Sequence, residues 1–169
     1  MEDVDPGYDD RDPERRRDPR VDPRRRHHDG PVLEVLPYGN QITILSITGE
    51  QLVSALENGV SEVEAGAGRF PQVGGMRYAF DPAAEAGSRI TAVEIRDVAA
   101  GTYVALDPAA TYTLATNNFL AGGGDGYSAL AEAKDRYETG WLLSDTLAEF
   151  LGESDSVSPG IEGRITEAE

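Results

Sequence analysis

A chain of 169 residues with 15 basic and 31 acidic side chains carries a formal net charge of −16 and contains no cysteine. That balance speaks against a general nucleic-acid binder, whose footprint is basic, and the lack of cysteine excludes disulfides and thiolate metal sites. Only 39% of the residues are apolar; no run of them is long enough to span a membrane, and no hydrophobic stretch follows the N-terminal charges as in a signal peptide.

Residues 1–30 differ sharply from the rest. They hold four apolar side chains, four prolines, eight arginines and ten acids, and Asp-Pro-Arg occurs at 18–20 and again at 22–24. Such a segment cannot bury enough apolar area to offset its chain entropy, so it is expected to be disordered. An arginine-rich arm for phosphates is the alternative, but interleaved aspartates cancel the arginines. Residues 31–169 keep seven basic against 21 acidic side chains, enough chain for one core. Lys134 is the only lysine, and a lysine-poor acidic surface suits a protein that stays soluble in high salt.

Order is expected from Pro31. Val32–Leu36 reads as a short strand closed by Pro37, followed by a turn at Tyr38-Gly39-Asn40. Residues 41–48, QITILSIT, are β-branched and place Ile42 and Ile44 on one face of a strand. Thr48-Gly49-Glu50-Gln51 fits a capping box. The helix behind it carries Leu52, Val53, Leu56 and Val60 at helical spacing and is expected to fray near Asn58-Gly59. After a glycine-rich stretch, Met76, Tyr78 and Phe80 alternate along a strand that ends at Asp81-Pro82. Further strands are expected at Ile90–Ile95, Tyr103–Leu106 and Tyr112–Thr116, with a turn at Asp107-Pro108. Helices are expected from Ser128 and from Ser144 or Asp145, and the tail after about residue 152 is expected to fray. Strands and helices mix without regular alternation, which favours an α/β chain of the α+β type, with mixed sheets flanked by helices.

The two histidines, His27 and His28, are adjacent and lie in the charged segment. No HxH, HExxH or GxSxG pattern occurs, so neither a transition-metal centre nor a serine nucleophile is expected. The informative run is Asn118-Phe119-Leu120-Ala121-Gly122-Gly123-Gly124-Asp125-Gly126-Tyr127. It is no P-loop, because no Gly-Lys-Ser/Thr follows. A calcium loop would need more than one acid in ten residues. Two readings remain from the residues themselves: a glycine turn with Phe119 in the core, or a loop whose backbone passes close to a flat ligand, with Phe119 and Asp125 at its edges.

Three blocks in order, VLEVLPYGNQITILSITGEQLVSALENGVS, GRFPQVGGMRYAFDP and YTLATNNFLAGGGDGY, resemble the C-terminal domain of the 5′-nucleotidase family. The closing TGWLLSDTLAEFL and SPGIEGRI are similar to that domain's end, so the resemblance spans about residues 30–165. It implies that Tyr38, where the family usually has phenylalanine, and Phe119 clamp a base from both faces. It further implies that Asn40 contacts the base, that Gly68 lies in the pocket wall, and that Asp125 accepts hydrogen bonds from the ribose hydroxyls.

In that family a separate metallophosphoesterase domain, often extracytoplasmic, supplies two divalent metal ions and the attacking water. Neither it nor the arginine that holds phosphate has a counterpart in this sequence. The expectation is thus an N-terminally truncated substrate-binding domain with no catalytic residue, no metal and no cofactor of its own. Its partners would be a nucleoside or nucleotide, and a metallophosphoesterase domain if one is encoded separately. The alternative is a non-catalytic interaction module, or a degraded gene fragment with no ligand.

Overall fold

In the computed structural model, residues 26–153 and 156–168 are described. The disorder expected for residues 1–30 lies, for 1–25, outside the described residues. The chain divides into two units, one of described residues up to Tyr38 with Ser144–Val157, the other of Gly39–Leu143 with Ser158–Glu169.

The first unit contains helix α1 (Arg26–Val35) and nearly all of helix α5 (Leu143–Gly152). Helix α1 overturns the strand expected at Val32–Leu36 and begins ahead of Pro31. A short apolar run cannot be assigned to strand or helix by pattern alone, and here Leu36 N–H closes a helical bond on the Val32 carbonyl at 2.8 Å. Helix α5 starts where the Ser144-Asp145 signal puts it.

The second unit is built on two sheets. In the first, β1 (Gln41–Thr48) lies between β5 (Thr111–Asn117) and β6 (Lys134–Leu142), antiparallel to both. The buried face of β1 is Thr43, Leu45 and Ile47, while Ile42 and Ile44 share the opposite, half-buried face. Strand β6 has no counterpart in the sequence reading. Its residues, KDRYETGWL, show no alternation and are mostly exposed, and the partner rather than the propensity makes the strand. The second sheet has the order β4-β3-β2-β7, formed by β2 (Met76–Phe80), β3 (Ile90–Asp97), β4 (Thr102–Ala105) and β7 (Ile165–Glu167). Strands β2, β3 and β4 form an antiparallel meander, and β7 joins β2 in parallel. The expected frayed tail therefore ends in a strand, tied by Tyr78 N–H to the Arg164 carbonyl at 2.9 Å and by Ala168 N–H to the Phe80 carbonyl at 2.8 Å. Antiparallel and mixed sheets flanked by helices are the α+β arrangement that the sequence implies.

Helix α2 (Gly49–Val60) opens with the capping box as expected: the Thr48 side chain accepts from Gln51 N–H, and the Gln51 side chain accepts from Thr48 N–H. Its stripe of Leu52, Ala55, Leu56 and Val60 joins Leu45, Ile47, Met76, Tyr78, Phe80, Tyr127 and Leu130 in one core. The helix does not end at Asn58-Gly59; both remain helical and Gly59 is buried. A Cβ on Gly59 would come within 2.7 Å of the Pro71 ring and 2.8 Å of the Tyr127 hydroxyl. Glycine here marks a close approach inside the helix rather than its end.

The last turn of α2 is tied to β3. The Glu57 carboxylate accepts the backbone N–H groups of Arg89 at 2.9 Å and Ile90 at 2.8 Å. Arg89, buried, donates to the Val60 carbonyl at 2.7 Å and the Ala84 carbonyl at 3.0 Å. Its guanidinium also makes a two-point pair with Glu64, which holds the Glu64 carboxyl below the usual carboxylate range. A buried guanidinium is tolerable because its donors are met this way.

Candidate functional site

The glycine-rich loop follows β5 directly. Asn117 closes the strand and caps the single-turn helix α3 (Asn118–Ala121), its side chain accepting Leu120 N–H at 2.8 Å. The Asn118 side chain reaches back to β1, accepting Gln41 N–H at 2.8 Å. From β6, Arg136 donates to the Ala121 carbonyl at 3.0 Å and the Asn118 carbonyl at 3.4 Å. The Ala121 carbonyl is one of those a short helix leaves unpaired at its end, while the Asn118 carbonyl also accepts Gly122 N–H at 3.1 Å. Arg136 also pairs with Glu138, and Thr43 donates its hydroxyl to Glu138 at 2.6 Å. The Thr43 hydroxyl first, and Arg136 second, hold the Glu138 carboxyl below its ordinary range.

Phe119, on α3, is 49% exposed. A Cβ on Gly124 would fall 2.5–2.6 Å from three atoms of the Phe119 ring. The ring therefore lies directly against the Gly124 backbone, a contact no larger residue permits. The bland alternative of Phe119 as a core side chain is set aside by its exposure. The chain then turns through Asp125, at φ 53°, and Gly126, at φ 83°. A non-glycine residue in the left-handed region is uncommon and Asp is among the few that enter it. Its side chain is exposed, and its backbone carbonyl accepts Asn58 Nδ2–H at 3.1 Å.

Tyr127 ends the turn and sinks into the core, 5% exposed, where its hydroxyl donates to the Arg69 carbonyl at 2.6 Å. Helix α4 (Ser128–Ala131) follows. The Tyr127 contact ties the loop to the segment holding Gly68. Gly68 is exposed and a Cβ there would meet no atom within 4 Å, so nothing in the fold itself calls for glycine at that position. Asn40 is half-buried, and its carbonyl accepts Leu143 N–H at 2.9 Å. It directly precedes Gln41, the residue bonded to Asn118. The second unit thus gathers Asn40, Gly68, Phe119 and Asp125 onto one set of linked segments. Tyr38 belongs to the other unit, where it is 75% exposed. The sequence reading gave no holding role to Asn58, Tyr127 or Arg136; the glycines at 59, 122–124 and 126 mark close approaches near the first two, and no sequence signal marks Arg136.

Among the described residues no group of three or more His, Cys, Asp or Glu side chains is placed to hold a metal ion.

The Tyr127 phenol is pushed up to about 12, first by burial and second by the nearby Asp125 charge. An unfolded tyrosine titrates near 10. The stabilisation from keeping this phenol neutral is therefore complete below about pH 10 and is lost as pH rises to about 12. In alkaline urea titrations Tyr127 should contribute a stability loss of roughly 2–3 kcal/mol over that window. The buried Tyr78 phenol, pushed up first by burial and second by Tyr127, adds a loss in the same direction. Tyr127→Phe should therefore reduce the dependence without abolishing it; an unchanged slope would show that Tyr127 carries none of it.

The family model described as "5′-nucleotidase, C-terminal domain" matches residues 28–132. The trifunctional nucleotide phosphoesterase protein YfkN of Bacillus subtilis is 42% identical over 139 residues, 82% of this chain and 9% of that protein. A snake venom 5′-nucleotidase from Gloydius brevicauda is 33% identical over 133 residues, 78% of this chain and 23% of that one. The crystal structure of a 5′-nucleotidase precursor from Thermus thermophilus superposes with a TM-score of 0.79 at 46% identity, covering 82% of this chain and 27% of that chain. The Haemophilus influenzae NAD nucleotidase shares the fold, with a TM-score of 0.65 at 22% identity, over 83% of this chain and 25% of that one. In each case the chain spans under a third of the protein it matches.

Proposed function

The chain belongs to the family of 5′-nucleotidase C-terminal domains, and from that membership we propose that it binds the nucleoside end of a nucleotide and leaves hydrolysis to a metal-bearing catalytic domain. The observation that carries this reading is the Phe119 ring, half exposed and laid against Gly124, with the exposed Asp125 six residues further along the same loop.

An exposed aromatic face is a sequence-tolerant platform for a base, worth about 1–3 kcal/mol per stacked base. For Tyr38 the support is the family resemblance alone, and its hydroxyl suits a wetter edge than phenylalanine does. Asn40 offers an amide to the base edge, and the bare backbone at Gly68 lets the base come close. A carboxylate accepts hydrogen bonds only, and the two oxygens of Asp125 match the two vicinal hydroxyls of a ribose. No residue of this chain is given a catalytic role. The interaction-module reading has no observation of its own in its favour.

The test is an NMR titration of the chain with adenosine, AMP and 2′,3′-dideoxyadenosine at high salt. Adenosine should bind in the millimolar range, about −4 kcal/mol, with shifts at Tyr38, Asn40, Gly68, Phe119 and Asp125. Phe119→Ala should cost about 1–3 kcal/mol of that affinity. AMP should bind no more tightly than adenosine, and phosphate release from AMP with added Mn²⁺ should stay at the buffer level. Shifts that map elsewhere would reject the residue assignments, and sustained turnover would reject the division of labour.

A further inference from the structure

Three consecutive residues at the end of α2 each hold a different segment. Glu57 binds the start of β3 through two backbone N–H groups, and Gly59 leaves room for Pro71 and the Tyr127 hydroxyl. Between them, Asn58 donates from Nδ2 to the Asp125 carbonyl at 3.1 Å. Its Oδ1 faces the next residue, lying 2.7 Å from where a Cβ on Gly126 would be. The side chain therefore sits against the Asp125–Gly126 backbone at the point where both residues take left-handed φ values of 53° and 83°.

We propose that Asn58 is a positioning residue for ribose recognition, holding the left-handed Asp125–Gly126 backbone so that the Asp125 carboxylate presents both oxygens to a vicinal diol. The proposal rests on the nucleoside-binding reading above. A left-handed aspartate is a strained backbone state that persists only where its surroundings impose it. α2 is suited to impose it. The helix is fixed at its start by the capping box, and at its end by the Ser61 hydroxyl and N–H, which both donate to the Asn58 carbonyl at 2.7 and 3.2 Å. Asn58 is thus anchored through its main chain while its side chain reaches across 67 residues of sequence to the loop. The Asp125 side chain makes none of these contacts, which leaves its carboxylate available to a ligand while its backbone is held.

The experiment uses Asn58→Ala and Asn58→Asp in the full chain. Alanine is the best helix former, so it does not endanger α2. Aspartate keeps the shape of asparagine but has no N–H to donate. Two readouts are taken. In the ligand-free protein, the amides of Asp125 and Gly126 should change chemical shift and exchange faster with solvent in both variants, while those of β2 and β3 stay put. In titrations, the preference for adenosine over 2′,3′-dideoxyadenosine should fall about fivefold, the factor of one ordinary hydrogen bond. Base stacking, read from dideoxyadenosine affinity, should hold. In an Asp125→Ala background, Asn58→Ala should produce no further loss of that preference, since it acts only through Asp125.

Unmoved Asp125 and Gly126 amides would overturn the proposal whatever the ligand data show. So would an equal loss for both nucleosides, or a further loss in the Asp125→Ala background. If the unmodified chain itself draws no distinction between the two nucleosides, the ribose reading of Asp125 falls and takes this proposal with it. The free-protein amide shifts still report whether Asn58 holds the loop.

Discussion

Phe80→Ala should remove about 3–5 kcal/mol of folding stability, the usual cost of emptying a buried phenylalanine site. Phe80 is 2% exposed and lies at the end of β2, with Phe70 edge-on at 5.9 Å between ring centroids and Tyr78 at 6.2 Å. Its carbonyl also receives Ala168 N–H, which fastens the end of β7. The cavity thus opens where α2, the second sheet and the Phe70–Pro71 segment meet. A domain with a total stability of about 5–15 kcal/mol would be left marginal. Urea unfolding of the variant should show a lower midpoint with an unchanged slope. A loss under about 1 kcal/mol would mean that the core closes over the gap.

Gly59→Val should be nearly as damaging, at about 2–4 kcal/mol, combining overpacking with a broken buried hydrogen bond. The first added carbon meets the Pro71 ring at 2.7 Å, a rigid group that cannot swing aside, and the Tyr127 hydroxyl at 2.8 Å. Displacing Tyr127 breaks its bond to the Arg69 carbonyl. The loop that carries Asp125 should then lose adenosine binding along with stability. The check is to compare Gly59→Ala and Gly59→Val by thermal unfolding and adenosine titration. A valine variant as stable as the parent would show that α2 and the 69–71 segment do not pack as closely as described.

Much of the fold was legible because local chemistry agreed with the final structure. The Thr48–Gln51 capping box, the alternation of Met76, Tyr78 and Phe80, and the Asp107-Pro108 turn all depend on neighbours a few residues away. Strand β6 was not legible. Lys134–Leu142 carries no apolar alternation and becomes a strand only by pairing with β1, about 95 residues earlier. Helix α1 was misread because five residues of mixed apolar type fit either period. Of the site, Phe119 and Asp125 stood out through the glycines beside them. The residues that hold the loop, Asn58 and Arg136, look like ordinary surface polar groups until the chain brings them to it.

The pairing of β1 has a consequence for the order in which the molecule assembles. The β2–β3 hairpin joins Met76 to Ile95 across a short connection, and β4 adds immediately afterwards. β1 finds both its neighbours only after much longer loops close, Ile42 to Asn117 on one side and Thr43 to Glu138 on the other. Loop-closure entropy makes such pairings late events, and folding dominated by them is slow. The Phe119–Asp125 loop leaves the end of β5 and is braced from β6, so it is set only when that late sheet forms. A refolding chain should regain the meander first and the Phe119–Asp125 loop last. If nucleoside binds that loop as proposed, its presence during refolding would act on the final step, drawing the reaction forward by stabilising its product without hastening the first collapse.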